Sequence, residues 1–400
     1  MKSYTYVIVG GGMTAQAAWE GIREIDEKAS IGMFCREPWP PYQRPPLSKG
    51  LWKGEKLEDI WLDAEDGGTE LHVGESIAAV DPHARRVRNT ENEEYGYEKL
   101  LLATGARVRH LPVKDEGILY FRTVDSYKTL QSWTGQGKVF LVVGGGFIGS
   151  EIAAALTLNG EQVTMLVPER GIGARMFPDD LALFVNDQYR DRGVDVQDGV
   201  RLTGIRKVDN RYIVESNVGR SFEVDHVVAG IGVQPNDALA EAAGLMTDNG
   251  IVVDEYLRST NADIYAAGDV ANVYSPALDL RRRVEHEDNA LTMGRQAGRN
   301  MALHRDHRDA DAWTHIPMFY SDLFDLGYEA VGMTDAGLRT VSDWKVPYRE
   351  GVVYYLESER VRGVLLWNVW ERVDEARALI ARTDPLTEEQ IRARPPIALT

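Results

Sequence analysis

Val7-Ile8-Val9-Gly10-Gly11-Gly12-Met13-Thr14-Ala15 and Val139-Phe140-Leu141-Val142-Val143-Gly144-Gly145-Gly146-Phe147-Ile148-Gly149 decide the fold. Each is a β-branched run that feeds a glycine-rich turn fitting G-x-G-x-x-G/A. At such a strand-to-helix turn, bare backbone N–H groups and a helix N-terminus hold a pyrophosphate. One match alone is weak. Two in the same context imply two bound dinucleotides, and a chain holding two dinucleotides is suited to moving electrons between them.

Outward from the first turn the pattern is βαβ. A stretch with few breakers, Thr14 to Lys28, predicts a helix, and Ile31–Cys35 predicts the next strand. Pro38 to Pro46 is proline-rich and excludes regular helix or central strand. Short alternating segments follow near Leu71–Val80 and Arg85–Arg88, and Leu100–Leu102 runs into the tight turn Ala103-Thr104-Gly105. The second unit predicts a helix from about Gly149 to Asn159, capped at Gly160, and a strand at Val163–Val167. Strands are expected near Val194–Val196, Ile205–Val208 and Tyr212–Glu215, with one buried run at Val224–Ile231 before Gly232. Asp263–Asp269 reads as strand, glycine and acid, and Glu285 to about His304 as a long helix. Ala302–Ala312 is charged and reads as a linker; its mixture of histidines, acids and bases is no metal-ligand set. From Trp313 the composition turns aromatic and β-branched, predicting strands near Glu329–Gly332, Val352–Leu356 and Val361–Trp367. Glu371–Arg382 then reads as helix, and Thr387 with Gln390 as a capping box. The fold class is α/β.

The balance of 45 basic and 62 acidic residues gives a net charge of −17. That disfavours nucleic acid and anionic membrane surfaces. No apolar run approaches the length of a membrane span. The first strand begins almost at Met1, leaving no room for a targeting peptide, so a cytoplasmic location is expected. Cys35 is the single cysteine, which excludes an internal redox disulfide; it reads as a buried strand residue.

An acid at the end of the strand after a glycine turn accepts both adenosine-ribose hydroxyls and repels a 2′-phosphate. In the second unit Glu169 takes that place, favouring NADH over NADPH, with Arg170 beside it weakening the preference. In the first unit the place holds Arg36, followed by Glu37. Either Glu37 does the work or the ribose is held differently.

Seven stretches now fall in order: PYQRPPLSKGLW (Pro41–Trp52), ATG (Ala103–Gly105), GGGFIGSE (Gly144–Glu151), GIGVQPN (Gly230–Asn236), AAGD (Ala266–Asp269), RRVEHEDNA (Arg282–Ala290) and MFYSDLFDLGYEAVG (Met318–Gly332). Together they resemble the FAD/NAD(H) flavoproteins that include apoptosis-inducing factor and the oxygenase-coupled ferredoxin, rubredoxin and putidaredoxin reductases. The resemblance spans nearly the whole chain. VEHEDNA, SDL…GYEAVG and Leu365–Asn368 lie nearer the apoptosis-inducing-factor branch.

The resemblance implies two Rossmann-type domains plus a C-terminal α+β domain. Residues 1–113 and 234–312 would bind FAD, 114–233 would bind NAD(H), and 313–400 would form the third domain. It implies hydride transfer from NADH to flavin N5, with Lys49 beside the isoalloxazine and Glu151 as its partner. A cation there stabilises the negative charge of the reduced ring. Gly10, Gly12, Ala15, Glu37, Arg44, Ala103, Thr104, Gly105, Arg109, Gly268, Asp269, Glu285, His286, Glu287 and Tyr320 fall on the FAD side. Gly144, Gly146, Phe147, Ile148, Gly149, Glu169 and Gly232 fall with Glu151 on the NAD side. Phe147 is a flap over the nicotinamide pocket or simply packs under its loop. Asp269 binds the ribityl chain or caps a helix. Tyr320 stands where the family often has tryptophan.

The resemblance implies an FAD-dependent NADH:acceptor oxidoreductase. Its acceptor would be a small iron–sulfur protein, a quinone or oxygen. Arg281-Arg282-Arg283 is either a dock for an acidic carrier, which the net negative charge opposes, or a solvated loop. The alternative is a redox-sensing flavoprotein in which NADH switches conformation or homodimerisation and turnover is slow.

Overall fold

The computed structural model describes residues 1–64, 66–113 and 117–399. The domain boundary expected at residue 114 and the chain end at 400 lie outside the described residues. The described chain forms two compact units. One comprises residues 1–43, 56–107 and 234–317, the other 44–55, 108–233 and 318–400.

The first unit is built on a 7-stranded sheet. Lys2–Val9 lies between Ile31–Cys35 and Glu94–Leu102 and pairs parallel with both. Thr69–Val73 extends one side, and Ile264–Ala266 pairs parallel with Glu94–Leu102. Val7, Ile8 and Leu100–Leu102 are fully buried, as a parallel sheet covered on both faces requires. Strand order reverses across Lys2–Val9, so the first glycine turn sits at a topological switch point, where such sheets bind ligands.

The second unit repeats this plan. Its five-stranded parallel sheet runs Asp195–Asp198, Gln162–Val167, Val139–Val143, His226–Ala229, Ile118–Tyr120. The second glycine turn follows the central strand, again where the order reverses. A separate 5-stranded antiparallel sheet, residues 318–367, is covered by the helix Val373–Ala381.

Some expectations need correction. The first helix runs Met13–Arg23, not to Lys28. Arg23 folds back and its Nη1 donates to Asp26 O at 3.2 Å and Ala29 O at 2.9 Å, so it closes the helix end with no glycine or proline. The run Val224–Ile231 is two strands, Ser221–Val224 and His226–Ala229. Asp225 separates them: its N–H donates to Val139 O at 2.8 Å and its Oδ2 accepts the Val139 N–H at 2.8 Å. The long helix, Glu287–Arg305, takes up the first residues of the expected linker. Gly160 has φ +84° and follows the C-cap Asn159, as a glycine terminator should. The Thr387–Gln390 capping box is present.

Cys35 is buried on its strand, and burial, then the Glu37 charge, push its thiol up to about 12. The native protein should therefore resist thiol-specific alkylation near neutral pH and react fully when denatured. Rapid native labelling, followed by mass spectrometry, would show the thiol to be accessible.

Among the described residues no helix is long and apolar enough to cross a membrane, and no cluster of three or more His, Cys, Asp or Glu could hold a metal.

Candidate active site

The first glycine turn has the geometry of a phosphate cradle. Gly10 adopts φ +142°, and a Cβ there would stand 2.1 Å from Ala103 O. No side chain other than glycine's fits. A Cβ on Gly12 would meet nothing within 4 Å, and Gly12, as the N-cap, supplies no side-chain bond to the helix start. The turn is thus closed beneath and open above, with helix N–H groups available to an anion. Ala15 is fully buried, where helix and sheet pack.

The neighbouring strand ends converge here. Thr104 and Gly105 are fixed by Asn236: Thr104 Oγ1 donates to its carbonyl at 2.7 Å, and its own N–H donates to Gly105 O at 2.9 Å. Gly268 (φ +74°) presses on the helix, a Cβ there falling 2.2 Å from Thr14 Oγ1. Asp269 follows within the turn Gly268–Val270, and its carbonyl accepts Arg283 Nη1 at 3.0 Å. His286 is the N-cap of the long helix, Glu287 its first residue, and Glu285 pairs with Arg283. Glu37 Oε2 accepts the Tyr42 hydroxyl at 2.6 Å, so the acid after Arg36 is oriented rather than loose.

Burial, then the Arg282 charge, push the His286 ring down to about 4, with Asp269 and Asp288 opposing. It is neutral at physiological pH. The unfolded chain takes up this proton near pH ~6.5. Its contribution to stability is therefore complete above that value and lost as pH falls toward 4. With cofactor removed, the loss should be on the order of 3 kcal/mol, and His286→Gln should flatten it. Identical pH profiles of urea midpoints for the two proteins would contradict this.

The second turn has the same design. Gly144 (φ +110°) would bring a Cβ 2.5 Å from Gly230 O, and Gly149 would bring one 2.0 Å from Gly144 O. The open position is Gly146, where a Cβ meets nothing within 4 Å. Phe147 and Ile148 are 39% and 36% exposed, and the Phe147 ring centroid lies 4.7 Å from that of Phe319. Phe147 is therefore not packed away under the loop. Gly232 (φ +88°) has space above it, bounded by Arg109. Arg109 Nε donates to Val233 O at 2.9 Å, and Arg44 Nη1 donates to Arg122 O at 3.1 Å. Glu169 stands just past the strand Gln162–Val167, its Oε1 accepting Arg175 Nε at 2.8 Å.

Lys49 and Glu151, far apart in sequence, meet in the second unit. Lys49 Nζ lies 2.9 Å from Glu151 Oε1, with side chains 16% and 2% exposed. The carboxylate also accepts Ser48 Oγ and Ser321 Oγ, each at 2.5 Å. Lys49 Nζ stands 5.2 Å from the centroid of the 40%-exposed Tyr320 ring. Burial first, then the Glu151 charge, raise the Tyr189 and Tyr328 hydroxyls well above their ordinary value. A buried carboxylate with three donors holds its cation in one place. Ser48 and Ser321 lie inside quoted motifs, yet nothing in the sequence marks them as ligands of Glu151.

The arginine triplet is not a free basic patch. Arg281 Nη1 donates to Val253 O at 2.8 Å and Asn272 O at 2.7 Å, while Arg283 is bound to Asp269 O, Asn249 O and Glu285. Burial lowers the pKa of Arg282.

The sequence signature of the pyridine nucleotide-disulphide oxidoreductase family matches residues 4–294. The chain belongs to this family. The C-terminal signature of mitochondrion-associated apoptosis-inducing factor matches residues 345–382 of the oxidoreductase. It is 34% identical to apoptosis-inducing factor 1 of Dictyostelium discoideum, over 96% of this chain and 79% of that protein. It is also 34% identical to the ferredoxin–NAD(+) reductase component of the anthranilate 1,2-dioxygenase system of Burkholderia cepacia, over 95% of both. A ferredoxin reductase from Rhodopseudomonas palustris superposes with a TM-score of 0.88 at 29% identity, covering 96% of each chain. The oxidoreductase is thus FAD-dependent and uses NAD(H), with two dinucleotide-binding domains and a C-terminal domain. Despite the family's name, Cys35 alone cannot form an internal disulfide pair.

Proposed function

We propose that the oxidoreductase passes electrons from NADH through FAD to a small iron–sulfur protein. The carrying observation is its likeness, over nearly full length, to a ferredoxin–NAD(+) reductase component. A putidaredoxin reductase solved in covalent complex with putidaredoxin also superposes, with a TM-score of 0.86 at 28% identity over 95% of this chain. Bound FAD supplies a two-electron store that can be emptied one electron at a time. Residues 1–113 and 234–312 hold FAD, 114–233 hold NAD(H), and 313–400 form the C-terminal domain.

The chain's residues bind, orient and stabilise charge; none need move a proton. Gly10, Gly12 and Ala15 seat the FAD pyrophosphate, and Glu37 holds the adenosine ribose. Ala103, Thr104, Gly105, Gly268 and Asp269 line the ribityl chain. Glu285, His286 and Glu287 present a helix N-terminus to the ring. Lys49, fixed by Glu151, supplies the positive charge that favours the reduced ring. Gly144, Gly146, Ile148, Gly149 and Gly232 seat NADH under Phe147. Since Arg281 and Arg283 are engaged internally, carrier docking does not draw on a free arginine triplet.

The decisive assay is steady-state NADH oxidation with a purified small iron–sulfur protein, a quinone or oxygen as acceptor. Fast turnover with the iron–sulfur protein alone supports the proposal; turnover only with the other two refutes it. The match to an apoptosis-inducing-factor C-terminal signature favours a second reading, a sensor that dimerises on NADH binding with slow turnover. An NADH-driven doubling of mass in light scattering would support that one.

Glu169 is expected to select NADH. Each hydrogen bond to a charged acceptor is worth roughly 1.5–3 kcal/mol. Glu169→Ser should therefore cut the NADH-over-NADPH ratio of kcat/KM by about tenfold or more. An unchanged ratio would remove Glu169 from the ribose.

A further inference from the structure

We propose that Ser321 and Ser48 are positioning residues for the redox reaction: their hydroxyls lock the Glu151 carboxylate and so set how strongly Lys49 favours reduced flavin. The inference rests on the reading of Lys49 as the cation that stabilises the reduced ring.

Glu151 lies near the start of the helix Phe147–Leu158 and is 3% exposed. Its two oxygens are divided among three donors. Lys49 Nζ at 2.9 Å and Ser321 Oγ at 2.5 Å share Oε1, while Ser48 Oγ donates to Oε2 at 2.5 Å. An ionised carboxylate only accepts, so both hydroxyl protons point at it. With a hydroxyl on each oxygen, the group cannot turn about its last bond without breaking a contact. Lys49 is thus offered one oxygen in one direction.

Both serines stand on fixed backbone. Ser48 closes the turn Pro45–Leu47, its N–H donating to Pro45 O at 3.3 Å, and the next N–H, that of Lys49, donates to Pro46 O at 3.2 Å. Consecutive residues of one tight turn therefore grip the two oxygens of one carboxylate. Ser321 belongs to the strand Met318–Leu323, in register with the fully buried Tyr328. The Tyr328 ring stacks on Trp367, with centroids 5.7 Å apart and planes at 7°.

The two hydroxyls are not equivalent. A solvent-open cavity walled by Trp52, Lys53, Ala154, Leu158 and Phe324 reaches the ion pair. Of the described residues, Ser48 is part of its wall and Ser321 is not. Water entering the cavity can replace a deleted Ser48 hydroxyl. Ser321 is 1% exposed and has no such substitute. Its loss leaves Oε1 to Lys49 alone and draws the ammonium onto the carboxylate, at the expense of its hold on reduced flavin.

The test uses the FAD-loaded protein and two readouts, neither of them turnover. The first is the flavin reduction potential, from anaerobic redox titration. The second is the 15N signal of the Lys49 ammonium in the oxidised protein, identified by its disappearance in Lys49→Ala. Ser321→Ala should lower the equilibrium constant for flavin reduction about tenfold, about 30 mV for a two-electron couple, and should shift the ammonium signal. Ser321→Cys keeps the shape with only a weak donor and should also lower the constant, by less. Ser48→Ala should change the constant only about twofold, since a bridging water nearly equals the hydroxyl. An unmoved potential and an unshifted signal in both Ser321 variants, with Lys49→Ala lowering the potential, would overturn the inference and leave the reading of Lys49 standing. If Lys49→Ala itself leaves the potential unmoved, that reading fails and this inference with it.

Discussion

Lys49→Ala should slow flavin reduction by NADH about 100-fold, the scale seen when one preorganised electrostatic contact to developing charge is removed. The substitution deletes the cation paired with Glu151, whose carboxylate also accepts Ser48 and Ser321. It should also lower the flavin reduction potential. Glu151→Ala should slow the same step less, because the lysine remains but loses its anchor 2.9 Å away. The double variant should be less impaired than the product of the single effects, since both residues share one interaction. The measurement is a double-mutant cycle on single-turnover rates in anaerobic stopped flow. Strictly additive effects, or an unchanged rate for Lys49→Ala, would make the pair structural.

Gly10→Val should prevent a stable FAD domain. Its Cβ would meet Ala103 O at 2.1 Å, at a φ of +142°. Backbone strain and overpacking together cost about 2–6 kcal/mol. Gly12→Ala is the informative contrast. With nothing within 4 Å of its Cβ, it should leave apoprotein stability nearly unchanged but weaken FAD binding by filling the cradle. Thermal melts of apoprotein and FAD titrations separate the two. Equal FAD affinity for Gly12→Ala and wild type would show that the cofactor does not approach this turn.

Much of the fold was legible in the sequence. The strands Ile31–Cys35 and Val139–Val143 fall where the apolar runs placed them, because a doubly covered parallel strand is apolar along its length. Boundaries set by tertiary contacts were not. Arg23 ends its helix by reaching backbone two turns of chain away, and Asp225 breaks an apolar run by bonding both ways to Val139. The strands Met318–Leu323 and Arg339–Val346 carry polar residues that mask their period. The helix Asp179–Asp191 was not expected from the sequence, although Leu181, Val185 and Tyr189 stand at helical spacing along it.

The site divided the same way. Glycine cradles are local, so their spacing announces them. The meeting of Lys49 with Glu151 came only from family resemblance, and the serines that complete it are visible only in three dimensions. Likewise nothing in the sequence joins Arg175 to Glu169. The sequence left Arg281–Arg283 open between a dock and a solvated loop; in the fold, alternation along a strand turns two of the three guanidinium groups onto backbone carbonyls.

FAD bound to this chain should be reduced by NADH. The direct measurement is to load the purified protein with FAD, remove oxygen and mix it with NADH in equimolar amount while following the flavin absorption. The expected result is rapid bleaching to the reduced spectrum, and restoration of the yellow oxidised spectrum when an iron–sulfur acceptor is added. A protein that binds FAD stoichiometrically yet keeps its oxidised spectrum with NADH would contradict it.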